Sequence, residues 1–232
     1  MIYNWIFANK ELLKIIYALI VCFVCAIIVL KTDRMFKLSD HQGLRYFRNA
    51  FFFYGVAFAV RFILGGISNP LNSIESNQIF FIMINYLFNF FIMIAGFFLL
   101  YSLIYKYIKK ERSYHSLLNI RAGFFYLIAL LIVILDFSFE TNYIMYFSQI
   151  IVFAALCIIG YKNYLEDHGK HLFLKYYFFI MVLGLIFWIL NTLAYFYNDW
   201  SIFIKTHIYV MNVLFFLFFL FAIKKITSNK NG

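Results

Sequence analysis

The segment Ile79–Tyr105, IFFIMINYLFNFFIMIAGFFLLYSLIY, carries no charged residue over 27 positions. As an α-helix rising about 1.5 Å per residue it reaches roughly 40 Å, more than the ~30 Å hydrocarbon core of a bilayer. Its apolar run is continuous, whereas a lipid-facing β-barrel strand alternates apolar and polar positions. The segment therefore reads as a transmembrane helix.

Working outward, six more stretches have the same character, and the seven run about 12–30, 42–66, 79–105, 117–139, 141–161, 172–197 and 202–223. Composition agrees. Of 232 residues, 65% are hydrophobic, 24% aromatic and only 13% charged, with 33 Phe and 19 Tyr, and the mean hydropathy is +0.85. Soluble domains average roughly 45–50% apolar and about 25% charged. A soluble globular domain, a disordered chain and a disulfide scaffold are excluded. The expectation is an all-α, polytopic transmembrane bundle of seven spans, one membrane domain over 1–232, in a cell membrane. The connections are short, so no soluble catalytic domain is expected. The only proline, Pro70, falls in the loop after the second span. Gly55 and Ala59 form a small-xxx-small pair where two backbones can approach closely.

Lysine and arginine set the orientation. Sixteen of the twenty fall on one side: Lys31–Arg48 in the first connection, Lys106–Arg121 in the third, Lys162–Lys175 in the fifth, and Lys224, Lys225 and Lys230 at the C-terminus. The other side has Lys10, Lys14, Arg61 and Lys205, while the ten acids divide evenly. The reading is N-terminus out and C-terminus in, which needs an odd number of spans. The net charge of +10 is then a collar for anionic lipid headgroups rather than a nucleic-acid surface. The first apolar run ends without a small-x-small cleavage site, so it reads as a permanent span and not a signal peptide.

Catalytic and metal motifs are weak. Cys22 and Cys25 form a C-x-x-C pair, but inside hydrocarbon, where a thiolate is disfavoured and cysteine serves as a small apolar packer. Cys157 reads the same way. His168 and His171, with Glu166 and Asp167 beside them, and His41 and His115 in other connections, do not follow a recognised zinc spacing. No H-E-x-x-H, G-x-S-x-G or phosphate-cradling glycine loop occurs. No enzyme activity, metal or cofactor is expected.

The informative residues lie within the spans, where polar groups are expensive and tend to face the bundle interior. Arg61 is in the second span. Asn85 and Asn89 are one turn apart on the third. Asp136 and Glu140 bracket the outer end of the fourth, and Gln149 is about two turns into the fifth. Trp188, Asn191, Thr192 and Tyr195 group in the sixth, and His207 and Asn212 lie in the seventh. Under the orientation above all of them fall in the outer half, whereas the inner halves are mostly Ile, Leu and Phe. This favours an outward-facing polar cavity that binds a small molecule through Arg61, Asn85, Asn89, Asp136, Gln149, Trp188, Asn191, Tyr195, His207 and Asn212, with Arg61 paired to Asp136, Glu140 or Glu75. The competing expectation is that Arg61 snorkels outward and the amides bridge helices. At the inner mouth of the second span, His41, Arg45 and Arg48 share a helix face. They suit an anionic lipid or a cytoplasmic protein partner.

Two resemblances are topological. Seven spans with the N-terminus outside resembles rhodopsins and G-protein-coupled receptors. However, the last span has no lysine between Lys205 and Lys224 for a retinal Schiff base. The third ends Tyr105–Lys106–Tyr107–Ile108 without an acid-Arg-aromatic triplet, and the seventh lacks Asn-Pro-x-x-Tyr. The run Leu38–Phe62 is similar to segments of uncharacterised prokaryotic, archaeal seven-helix membrane proteins, a likeness that implies no activity. Finally, Leu44–Arg45–Tyr46–Phe47 lines up with Leu174–Lys175–Tyr176–Tyr177 and sets Arg61 opposite Asn191. Spans one to three and five to seven would then be parallel repeats about a linker helix, a plan that resembles sugar transporters of the SWEET type. Those transporters usually carry prolines in the repeat helices, and this chain has none there.

The leading expectation is a receptor-like or sensory protein with a small ligand in an outward cavity. A small 3+1+3 transporter or channel using the same site is the alternative.

Overall fold

A computed structural model of the chain describes residues 9–39, 42–65, 74–105, 120–166, 172–197 and 202–228. Among these residues there are seven helices and no strand. They are α1 (Lys10–Ser39), α2 (Gln42–Phe58, prolonged by a π-helical turn Ala59–Leu64), α3 (Ile74–Ile104), α4 (Ile120–Ser138), α5 (Tyr143–Glu166), α6 (Leu172–Phe196) and α7 (Ile202–Ser228).

All except α4 are long and apolar enough to cross a membrane. The fourth helix has 19 residues, roughly 28 Å of rise, at the short end of what a span needs. The sequence reading began that span at 117, and residues 117–119 lie outside the described ones. Elsewhere the helices outrun the apolar stretches. The first continues nine residues past Leu30 to Ser39, because Lys37 lies one turn after Asp33 and the two ions pair at 3.1 Å. Such i, i+4 pairs support a solvated helix end.

Large apolar side chains on the outside of the bundle have no protein over them: Phe23 is 67% exposed, Ile151 68% and Ile158 71%. In water such a surface would drive aggregation. In lipid it is solvated, which is why apolar residues cover every face of these helices.

The packing closes a ring. α1 packs on α2, α2 on α3, α3 on α5, α5 on α6, α6 on α7, and α7 back on α1. α4 stays outside this ring, packed mainly against α3 and α5 with its Tyr126 ring reaching Phe53 of α2, and exposes Phe124, Leu127, Leu131 and Phe137. The ring therefore consists of two three-helix units joined by α4.

Burial repeats between those units. α1 buries Tyr17, Val21, Val24, Cys25 and Ile28, and α5 buries Met145, Gln149, Val152, Phe153 and Leu156 at the same spacing. α2 buries Phe47, Ala50, Phe51, Tyr54 and Ala57, while α6 buries Tyr177, Ile180, Met181, Gly184 and Phe187, each 130 positions later. That is the same offset at which Leu44–Phe47 matches Leu174–Tyr177. α3 buries Ile84, Ile92, Ala95, Phe98 and Leu99 where α7 buries Ile208, Phe216, Phe219, Ala222 and Ile223.

Between the N-terminal half of α2 and the C-terminal half of α7 the ring is filled by aromatic side chains. Phe51 and Phe219 meet edge to face at 4.7 Å, Phe47 contacts both Phe219 and Tyr177, and Phe53 stacks on Phe98 at 5.5 Å. Offset-stacked and edge-to-face pairs each contribute about 0.5–1.5 kcal/mol beyond area burial. Glycine permits two close approaches. At Gly55 a Cβ would lie 3.3 Å from that of Cys25, and the Cys22 thiol donates to the Gly55 carbonyl at 3.4 Å. The C-x-x-C pair thus packs α1 on α2, with both thiols free. At Gly184 a Cβ would sit 2.8 Å from the Phe215 ring and closer still to Phe153.

The α4–α5 connection is a tight turn. Phe139 and Thr141 donate backbone N–H groups to Leu135 and Asp136 carbonyls, and Glu140 takes φ 53°, the left-handed conformation that closes a helix C-terminus.

Candidate functional site

The upper half of the ring encloses a cavity of about 540 Å³. Its wall comes from every ring helix and none from α4: Tyr17 on α1, Tyr54 and Phe58 on α2, Phe88 and Ile92 on α3, Tyr143 and Tyr146 on α5, Phe187 and Trp188 on α6, and Tyr209 and Phe216 on α7. The starts of α1, α5 and α7 and the ends of α2 and α6 meet here. This is the half in which the sequence reading places the polar residues. At the bundle end the lining reaches Tyr143 and Phe196, both exposed and stacked at 4.8 Å. At the other end the buried Phe51, Phe219, Phe47 and Tyr177 lie beneath it.

Among the described residues Arg61 is the single charged residue of the lining. It sits on the π-helical turn Ala59–Leu64, a wider turn that recurs at functional sites. Its guanidinium lies 4.4 Å from the Phe88 ring centroid and 5.6 Å from that of Phe62. The Tyr146 hydroxyl stands beside it. Cation–π contacts of this kind contribute about 0.5–2 kcal/mol, more where water is excluded. Among the described residues no carboxylate forms an ion pair with Arg61.

The expected partners are therefore corrected. The Asp136 carboxylate is buried and accepts the backbone N–H groups of Ile144 and Met145, both at 3.0 Å. It caps the N-terminus of α5, where unpaired N–H groups and the helix dipole favour an anion. Glu140 is exposed in the turn that follows. The Glu75 side chain lies outside the described residues.

Across the cavity from α2, Asn191 and Asn212 exchange amide hydrogen bonds: Asn191 Nδ2 donates to Asn212 Oδ1 at 3.1 Å, and Asn212 Nδ2 to Asn191 Oδ1 at 3.3 Å. Asn191 also donates to the Phe187 carbonyl at 2.7 Å. The pair clips α6 to α7 and still lines the space. The Tyr17 hydroxyl lies beside Asn212, and its ring stacks on Tyr209 at 5.0 Å. The Tyr54 hydroxyl is buried and has no hydrogen-bond partner among the described residues.

Of the ten expected ligand-binding residues, Arg61, Trp188, Asn191, Tyr195 and Asn212 line the cavity. The other five do not. Asn89 is buried behind the wall and donates to Asn142 Oδ1 at 2.6 Å, and Asn142 in turn donates from its backbone to the Tyr195 hydroxyl at 3.3 Å. Gln149 is buried between α3 and α5, donating to the Ile92 carbonyl at 2.9 Å and to Met93 Sδ at 3.2 Å. Asp136 is the cap just described. Asn85 is half-buried on α3, and His207 is exposed on α7. Sequence reasoning missed Tyr17, Tyr54, Tyr146 and Tyr209. Phe58, also in the wall, sits 130 positions before the expected Trp188, so the repeat offset could have marked it.

The inner cluster is far from this space. Arg48 pairs with Asp33 and reaches Asn49 at 3.4 Å, while the Arg45 guanidinium lies 5.6 Å from the Phe36 centroid. His41 lies outside the described residues, as do His115, His168 and His171. Among the described lining residues there is no carboxylate, thiol or imidazole. The lining can hold a ligand by one cation, two amides, tyrosine hydroxyls and many ring faces.

No relative is found. No family model, no curated protein and no solved structure matches the chain. Its function has to be argued from the cavity itself.

Proposed function

We propose that this chain is a receptor-like membrane protein that takes a small ligand into the ring cavity from the outer face, with the C-terminus and the cationic collar inside. One observation carries the reading: a cavity of about 540 Å³, within the range of roughly 300–1,000 Å³ typical of ligand pockets, is lined by an arginine that has no carboxylate partner among the described residues and is closed below by buried aromatic rings. An arginine in a span is costly unless a counter-charge or water meets it. A cavity open on one side only suits a sensor. The collar, with Arg45 at its edge, suits an anionic lipid or a cytoplasmic partner that carries the signal onward.

A second reading is transport, and the ring favours it. α1–α3 and α5–α7 occupy equivalent places around the cavity, with α4 outside. Repeats that rock against each other around a midplane site are a general plan for transporters. The rings of Phe47 and Tyr177, at equivalent positions, would then form the inner gate.

Native mass spectrometry of gently solubilised wild type and Arg61→Leu tests the binding reading. A small adduct on wild type that is lost in the variant supports it. Identical phospholipid adducts on both proteins would contradict it. Flux of the bound compound into proteoliposomes separates transporter from receptor.

A further inference from the structure

Among the described residues the cavity has one charge. Around Arg61 every other described lining side chain is uncharged, and no acid is among them. Phe88 occupies one side of the guanidinium at 4.4 Å. The in-plane N–H fork matches the two oxygens of a planar anion, and bidentate pairing of that kind is what favours arginine over lysine at carboxylate sites.

Charge balance narrows the anion. A phosphate monoester brings about −1.5 to −2 at neutral pH. Against one guanidinium it would leave surplus negative charge among phenyl rings, and burying unpaired charge is strongly unfavourable. A monocarboxylate neutralises Arg61 one for one. A cationic ligand would meet Arg61 with no acid among the described lining residues to offset the repulsion.

The body of the ligand follows from the wall. Phe58, Phe187, Trp188 and Phe216 present ring faces and edges, which suit an aromatic or branched apolar group. Deeper, the orphan Tyr54 hydroxyl offers one more polar contact. Buried hydroxyls are nearly always hydrogen-bonded, so one without a partner is a place where a ligand or water belongs.

We infer that the cavity takes a monocarboxylate with an aromatic or apolar body, its carboxylate on the Arg61 guanidinium and its body among the rings between α2 and α6. The inference rests on the ligand-binding reading above and adds the class of ligand. Such a carboxylate reaches the site either from water, as a small aromatic acid, or from the bilayer, as a fatty acid.

Trp188 lines the cavity and reports on it once Trp5 and Trp200 are replaced by Phe. The full-length protein in nanodiscs would be titrated with phenylpropionate, phenylpropanol, phenylpropylamine and laurate while Trp188 fluorescence is recorded. A saturable change is expected with a carboxylate, at least about tenfold tighter than with the matched alcohol, and none with the amine. Arg61→Gln should abolish that preference, and Arg61→Lys should retain part of it, which guards against a folding defect in the glutamine variant. Saturation by phenylpropionate points to an aqueous source, and saturation by laurate alone to the bilayer. Either supports the inference. If the alcohol binds as tightly as the acid, or Arg61→Gln leaves the preference intact, the carboxylate assignment is overturned while the cavity reading stands. If none of the four probes gives a saturable change, both are overturned.

Discussion

The Arg61 guanidinium stands 4.4 Å from the centre of the Phe88 ring, so this cation of the cavity is held by α3 as well as by its own helix. Removing the ring without emptying the space should loosen it. Phe88→Leu is expected to weaken ligand binding by about 0.5–2 kcal/mol, the range for a cation–π contact, with folding nearly intact. Titration of the variant beside wild type checks this. A change as large as that of Arg61→Gln would instead mean that Phe88 shapes the cavity as a whole.

Asn191 and Asn212 bond each other across α6 and α7, and the Tyr17 hydroxyl of α1 meets Asn212 as well. Either single change to Leu leaves one half-buried amide short of a partner. The double change removes both. A double-mutant cycle on thermal stability in detergent should give a coupling of about 0.6 kcal/mol and at most about 1.7 kcal/mol, the range for interhelical hydrogen bonds in membranes. Zero coupling would show that the two amides do not meet.

Asp136 and Glu140 act at the same turn with opposite expected outcomes. Asp136→Ala strips two N–H groups at the start of α5 of their acceptor and should destabilise by about 0.5–2 kcal/mol, as lost N-caps do. Glu140→Gly relieves a non-glycine residue at φ 53° and should stabilise by up to about 1 kcal/mol. Melting temperatures of the two variants should move in opposite directions.

Gly184 faces the rings of Phe153 and Phe215 with no room for a methyl group. Gly184→Ala is expected to destabilise by about 1–3 kcal/mol through overpacking and to shrink the cavity, since Gly184 is part of its lining. A Gly184→Ala protein with unchanged stability and unchanged binding would contradict the α5–α6–α7 packing described here.

Depth was legible in the sequence and azimuth was not. Long uncharged runs mark the spans because hydrocarbon tolerates little else, and polar residues such as Arg61, Asn191 and Asn212 reveal which half of the bundle is polar. Which way each points is harder to read, because the lipid-facing and core-facing sides of these helices are both apolar. Asn89 and Gln149 share the depth of the cavity but bond between α3 and α5. His207 shares that depth and points away. Asp136 reads as a counter-ion by charge, but its true role depends on a tight turn that brings the start of α5 back onto it. The tyrosines of the wall were hidden by abundance, since 19 of them are spread along the chain. The placement of α4 outside the ring was foreshadowed by the match of Leu44–Phe47 with Leu174–Tyr177.

The central claim is that the polar half of the ring is an accessible cavity and not helix packing. Ala194 lines it, and Ala50 is buried beneath it at 0% exposure. With Cys22, Cys25 and Cys157 replaced by Ala, single cysteines at these two positions would be treated with a membrane-impermeant thiol reagent on intact cells. The account predicts that Ala194→Cys is modified from outside and Ala50→Cys is not. An inert cysteine at 194, or equal modification of both, would contradict it.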